Sequence, residues 1–181
     1  MKNKIYKILQ VGDPLLRQKA RPVTVFHKKL HSAIDSMAET LYSSGNGAAL
    51  AANQVGILKQ IIVIDYEEEY LELLNPVILE CSGEQTDQEG CLSFTGLYGN
   101  VKRFNYIKIK YCDRYGEEHI LEKKGKMSRC IQHEIDHLNG ILFIDRMEEE
   151  LLDNIITNKK VELKPLLNLS YSSPSGFEAK A

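Results

Sequence analysis

The sequence has no apolar run that approaches the length of a membrane span, and Met1-Lys2-Asn3-Lys4-Ile5 lacks the long apolar core of a secretory signal. A cytoplasmic protein with no membrane partner is therefore expected. Its four cysteines, at 81, 91, 112 and 130, include no CxxC pair. They could in principle form two disulfides, but in a reducing compartment they should be thiols. A formal net charge of −2 leaves no overall electrostatic footprint for nucleic acid, so sequence-specific nucleic-acid binding is not expected. Internal repeats and a glycine-rich nucleotide loop are also missing. The 181 residues suit one domain with a real core rather than two. That domain is expected over residues 1–165, with 166–181, rich in serine from Ser170 and carrying Pro174 and Gly176, as a mobile tail.

Histidine is scarce too, with five in all, yet two of them fall in Gln132-His133-Glu134-Ile135-Asp136-His137-Leu138. Residues four apart on a helix stand one above the other, so His133 and His137 can aim both imidazoles at one point. Glu134 projects roughly a quarter turn away, where it could exchange a proton with a metal-bound water without itself being a ligand. An ordinary amphipathic helix could carry the same residues, but it would have to account for all three at once. A catalytic site of this kind wants a third protein ligand and an open position. Cys91, in Glu89-Gly90-Cys91-Leu92-Ser93, can supply it, and one thiolate with two imidazoles suits iron(II), zinc, cobalt or nickel. The bland alternative for Cys91 is a small buried hydrophobe.

Three segments together resemble the peptide deformylase family: Gly47-Ala48-Ala49-Leu50-Ala51-Ala52-Asn53-Gln54, then Glu89-Gly90-Cys91-Leu92-Ser93, then Gln132-His133-Glu134-Ile135-Asp136-His137. Asp13-Pro14-Leu15-Leu16-Arg17 and Leu138-Asn139-Gly140-Ile141-Leu142-Phe143-Ile144-Asp145 are similar as well, so the likeness covers about residues 5 to 150. It implies removal of the formyl group from the N-terminal formylmethionine of nascent polypeptides. One divalent metal would be held by Cys91, His133 and His137, with Fe2+ the usual native ion and Zn2+, Ni2+ or Co2+ able to replace it. Glu134 would act as general base, and the Gln54 amide with the Leu92 backbone N–H would face the reacting carbonyl. The substrate would lie beside Gly45, Gly47, Ala48, Gly90, Arg103 and Cys130, pairing as a strand against the loop at Gly45–Gly47. A ribosome contact is implied by family analogy alone, and Glu148-Glu149-Glu150 argues against a simple basic docking surface.

This chain departs from the family pattern at Ala48 and Ala49, where a larger apolar residue and a glycine are usual, and after Ser93, where Phe94-Thr95-Gly96 replaces an apolar-proline-glycine run. Two rival readings stand beside the deformylase. One is an HExxH zinc endopeptidase, which leaves Cys91 without a role. The other is a deformylase-like peptide-binding protein with reduced or no turnover.

Along the chain, Leu30, Ile34, Met37, Ala38 and Leu41 recur at helical spacing and predict a packing helix over 27–43. His27 and His31 lie four apart on it, a rival metal pair without a neighbouring glutamate. Ser43 to Gly47 breaks that helix, and a loop is expected through Gln54. Ile61 to Asp65 predicts a buried strand, Glu67-Glu68-Glu69 a solvated turn, and Leu71 to Leu79 a strand interrupted at Asn75-Pro76. Residues 105–112 and 118–122 form a hairpin about Asp113-Arg114-Tyr115-Gly116. The motif helix starts after Gly125, uses Met127, Cys130, Ile131 and Leu138 as core contacts, and stops at Asn139-Gly140. Leu151, Leu152, Ile155, Ile156 and Val161 predict a further helix over 146–163. The order of elements predicts an α+β fold: mostly antiparallel strands around a central metal-binding helix, with a C-terminal helix.

Overall fold

A computed structural model describes residues 4–171. Three α-helices, α1 (Lys28–Ser43), α2 (Gly125–Leu138) and α3 (Leu163–Tyr171), accompany two antiparallel sheets. The first sheet comprises β1 (Ala49–Ala51), β2 (Ile61–Tyr66), β3 (Glu69–Ser82), β6 (Tyr106–Cys112) and β7 (Glu118–Lys124), in the spatial order β1-β2-β3-β6-β7. The second is β4 (Gln85–Cys91), β5 (Phe94–Arg103), β8 (Leu151–Asn154) and β9 (Lys159–Glu162), in chain order. The expected α+β architecture is present.

The run Ile61-Ile62-Val63-Ile64 shows why α2 sits at the centre. Successive side chains on a strand face opposite ways, so Ile62 and Ile64 join Met127, Ile131 and Leu138 of α2, while Ile61 and Val63 join Ile34, Met37 and Leu41 of α1. All four strand residues are buried, because β2 is sandwiched between helices. A third core, under the second sheet, gathers Leu16, Phe94, Val101, Phe143, Leu152 and Leu163. The Asn75-Pro76 interruption is a bulge between Leu74 and Val77, with Asn75 at φ +51°. The Asn75 carboxamide accepts from the Val23 N–H at 2.7 Å and donates to the Val23 carbonyl at 2.8 Å. It thereby supplies strand-like pairing to a segment that has no strand. Gly140 ends α2 at φ +72°, and a Cβ there would stand 2.2 Å from the Arg17 carbonyl oxygen, so both backbone angle and space demand glycine.

The N-terminal segment runs alongside both the loop that follows β1 and the turn that follows β4. The Leu9 N–H donates to the Gln54 carbonyl at 2.8 Å, the Val11 N–H to the Ser93 carbonyl at 3.0 Å, and Gln10 Nε2 to the Leu92 carbonyl at 3.0 Å.

The structure corrects two local expectations. The loop expected through Gln54 contains β1, paired with β2 from Ala49↔Ile64 to Ala51↔Ile62, followed by a 3-10 turn over Ala52–Val55. The helix expected over 146–163 is instead the β8–β9 hairpin. Its apolar spacing is also satisfied by a strand that buries Leu152 and pairs it with Val161. The β-branched residues Ile155, Ile156, Thr157 and Val161 lower helix propensity. The C-terminal helix lies later, at 163–171, with Leu163, Leu166 and Leu167 against the third core. Residues 166–171 of the expected tail thus belong to α3, and 172–181 lie outside the described residues.

Candidate metal centre and active site

β4 ends at Cys91, where a register shift between Gly90 and Cys91 closes a tight turn onto Phe94. This turn brings the thiol to α2. Cys91 Sγ lies 3.2 Å from His137 Nε2, and one donor atom from each of Cys91, His133 and His137 falls within 4.8 Å of the others. Bonds of ~2.0–2.3 Å to a common ion would set tetrahedral donors roughly 3.5 Å apart, so one ion fits this group. The donor set and its polar surroundings agree with such a site. Glu134 Oε2 is a buried side-chain atom with no hydrogen-bond partner inside the protein, a costly arrangement where nothing binds.

Glu89 organises the first histidine. Glu89, two residues before Cys91, reaches the same histidine. Its Oε2 lies 2.8 Å from His133 Nδ1. A carboxylate accepts, so Nδ1 carries the hydrogen and Nε2 keeps its lone pair for a metal. Glu89 also receives Arg103 on both oxygens at 2.9 Å and Arg129 at 2.8 Å. Arg103 continues to Asp136, which binds Arg146 at 2.8 Å. Burial would raise the Glu89 pKa, but Arg103 and His133 hold it well below the usual carboxylate range. His133 is lowered by burial but raised more by Cys91 and Glu89, with a net upward shift. His137 is pushed down by burial and by His133, so its ring favours the neutral form that ligation needs. Burial lifts Glu134 to about 7.

Gln54 completes the cluster. Its Oε1 accepts the Ala51 N–H at 2.8 Å, which fixes the orientation of the amide and turns the NH2 group toward Cys91 Sγ at 3.4 Å and Ser93 Oγ at 3.2 Å. Asn53 donates to the His137 carbonyl, tying this loop to the end of α2.

A cleft of about 800 Å3 opens from the cluster, and Gln54, Gly47, Ala48, Gly90, Leu92 and Cys130 all line it. A Cβ on Gly47 would meet Leu41 and Leu92 at 2.7 Å, and one on Gly90 would meet the Tyr98 ring at 2.5 Å. Both positions therefore need glycine for space. The cleft lies between β1 and β4, each of which ends its sheet.

Two expected substrate neighbours stand elsewhere. Arg103 is 6% exposed, held behind His133 by Glu89 and Asp136, and is absent from the cleft wall. Gly45 sits in the turn after α1 at φ +79° and shapes the cleft rim rather than lining it. The rival pair is structural: His27 Nδ1 caps α1 by accepting the Leu30 N–H at 3.1 Å, and His31 Nε2 meets the Arg114 carbonyl at 2.8 Å. Asp113, Glu117 and His119 also cluster, but Asp113 already accepts the Tyr115 and Glu117 N–H groups and lies 3.1 Å from His119, as a surface turn requires. Sequence reasoning assigned no role to Glu89, although its place two residues before Cys91 on a strand is the signal that could have revealed it.

With this geometry in place, the comparisons agree. Residues 5–151 match the Polypeptide deformylase family. The chain is 47% identical over 145 residues to a peptide deformylase of Desulfitobacterium hafniense, covering 80% of this chain and 96% of that protein. A Heliobacterium modesticaldum peptide deformylase is also 47% identical, over 146 residues, covering 81% and 96%. Among solved structures, the Thermotoga maritima peptide deformylase superposes with a TM-score of 0.78 at 42% identity, covering 80% of this chain and 99% of that one. That of Legionella pneumophila has a TM-score of 0.78 at 35% identity, covering 94% and 99%.

Proposed function

This chain belongs to the polypeptide deformylase family, and from that premise we propose how its residues divide the work of releasing formate from the N-terminal formylmethionine of new polypeptides. Cys91, His133 and His137 hold one divalent metal, and iron(II) is our assignment for the native ion, with zinc, nickel or cobalt as substitutes. Bound there, the metal supplies a Lewis acid that lowers the pKa of a coordinated water to about 7. Glu134 is placed to accept a proton from the water that attacks the formyl carbon. It then returns that proton to the leaving amine, so the C–N bond breaks with formate on one side and a free methionine amine on the other. The Gln54 NH2 and the Leu92 N–H donate to the developing oxyanion, each such donor being worth on the order of a hundred- to a thousandfold in rate.

The single observation that carries this reading is the convergence of Cys91 Sγ, two imidazoles, the unpartnered Glu134 oxygen and the pinned Gln54 amide at the inner end of one cleft. The sulfur in that cluster weighs against the endopeptidase alternative, which would leave it idle. The free edges of β1 and β4 support an extended substrate that pairs through its backbone, so many sequences would be held alike. Gly47, Ala48, Gly90 and Cys130 are the contacts we assign to the first substrate residue, and Arg103 is assigned to orienting His133 through Glu89. We place the enzyme in the cytoplasm, where formylated chains are made. Among the described residues no helix is long and apolar enough to cross a membrane. Contact with a ribosome rests on family analogy only. Residues 1–165 with the rest of α3 are taken as one catalytic domain.

The direct test is formate release from a formyl-Met-Ala-type peptide by protein loaded with iron under nitrogen. With iron, activity should fade in air and persist in nickel or zinc protein, because the thiolate and the iron are both oxidisable. Equal loss under nitrogen and in air would exclude this oxidation. No formate under any metal would favour the non-catalytic binding protein.

Ala48 and Ala49 have separate consequences. Ala49 lies in β1 opposite Ile64 and has no positive φ, so its methyl is accommodated by ordinary strand geometry. Ala48 lines the cleft and leaves room beside the first substrate side chain. A missing methylene or two in such a pocket changes discrimination by roughly 10- to 200-fold. Ala48→Ile should therefore lower the KM for formyl-Met relative to formyl-norvaline peptides by about tenfold. An unchanged ratio would mean that Ala48 does not touch that side chain.

A further inference from the structure

The β8–β9 hairpin, residues 151–162, lies past the stretch matched to the family, which ends at 151. The match to the family stops at the hairpin's first residue. β8 adds to β5 through Leu97↔Asn154 and Tyr98↔Asp153, and the Ile155 N–H donates to the Gly96 carbonyl at 3.0 Å. The turn is built by its asparagines. Asn154 Oδ1 accepts the N–H groups of Ile156 and Thr157 at 3.0 Å, and Asn158 takes φ +53°.

Ile155 and Ile156 are therefore not required by the turn, yet they occupy its tip at 58% and 67% exposure. Tips of this kind are usually polar. Ile156 packs over Gly96, where a Cβ would come within 2.5 Å of Ile156 Cδ1. Gly96, with Thr95 and Leu97, lines the same cleft that reaches Gly47, Gly90 and Glu134. The apolar tip is thus continuous with the cleft mouth. A volume of about 800 Å3 lies in the upper part of the roughly 300–1000 Å3 range of small-molecule pockets, which leaves room for more than the first residue of an extended chain.

We propose that Ile155 and Ile156 form an apolar landing for the substrate polypeptide downstream of its second residue, so that the enzyme favours nascent chains with an apolar side chain there. The proposal rests on the deformylase reading and extends it to substrate selection. The rival occupant is ribosomal RNA, since Lys159 and Lys160 are close by. Lys160 is already neutralised by Asp153 at 2.6 Å, however, and the two side chains at the tip are uncharged.

The test compares iron- or nickel-loaded wild type with Ile155→Ser/Ile156→Ser on formyl-Met-Ala-Ser and on formyl-hexapeptides in which one leucine is moved from position three to six of an otherwise serine-rich chain. Wild type should show a KM about tenfold lower for its best leucine position than for the all-serine hexapeptide, the scale expected from partly burying two isoleucines. The double-serine variant should lose that preference and keep its kcat/KM on the tripeptide within about twofold, and Ile155→Leu/Ile156→Val should restore it. A wild type that cleaves the tripeptide but ignores leucine position overturns the proposal, as does a double-serine variant that keeps the preference. Equal loss on the tripeptide overturns it in favour of a structural tip. Unchanged peptide kinetics with weakened ribosome co-sedimentation overturns it in favour of RNA. Failure of the wild type on the tripeptide would instead remove the deformylase reading beneath it.

Discussion

Glu134→Gln should cut formate release by roughly a hundred- to ten-thousandfold, the usual worth of a positioned general base, while leaving metal content intact. Glutamine keeps the size and polarity of the side chain but cannot take a proton. The candidate ligand atoms belong to Cys91, His133 and His137, none of which this substitution alters. The same variant carries a second signature. Burial raises the Glu134 pKa from 4.5 to about 7 in the metal-free protein, and a raised folded-state pKa means that ionisation opposes folding. The stabilising protonated form is fully present below pH 4.5 in both states, and its benefit is lost as pH rises toward 7. Metal-free Glu134→Gln should therefore exceed metal-free wild type in stability at pH 8, by an amount on the order of 1–3 kcal/mol, and match it near pH 4. Chemical denaturation at the two pH values measures this. A variant with both metal and near-normal turnover would refute the general-base role.

Alanine at Cys91, His133 or His137 should each remove most of the metal, a larger loss than the roughly ten- to hundredfold in affinity that removal of a supporting hydrogen-bond partner costs. Two protein ligands leave an ion with too many water positions to compete with solvent, and the neighbouring Glu134 is then the nearest substitute donor. Metal analysis after dialysis against a weak chelator gives the readout. The three variants should behave alike, since each contributes one donor to a single centre. Full occupancy in Cys91→Ala would take the thiolate out of the centre and revive the endopeptidase reading.

The parts of this molecule legible in its sequence are those where local chemistry and final structure agree. His133, Glu134 and His137 fall on one helix, so their spacing alone states their geometry. Ile61 to Ile64 reads as a buried strand because both of its faces are covered. Cys91 was a weaker signal, since nothing local distinguishes a ligand thiol from a core thiol, and the family likeness is what raised it above the buried-hydrophobe alternative. Arg103 shows the opposite case. Its partners Glu89 and Asp136 are 14 and 33 residues away, and no periodicity reveals that three distant charges will be buried together. The 146–163 stretch was misread because Leu151, Leu152, Ile155 and Ile156 satisfy both a helical repeat and a hairpin. The choice was made by the open edge of β5, which is a tertiary fact.

The bridge formed by residues 9–11 has a consequence for the order in which the enzyme is made. These residues are made before their partners Gln54, Leu92 and Ser93, which stand 45, 82 and 82 positions later. The segment is therefore seated only once those later-made partners are in place. Until Ser93 has emerged, nothing joins the loop that carries Gln54 to the turn that carries Cys91 along this route, and the aperture between amide and thiol is unset. Three hydrogen bonds from one short segment then fix it on both sides at once. The spacing between the Gln54 amide and the Cys91 thiol is thus governed by a segment far from both in sequence.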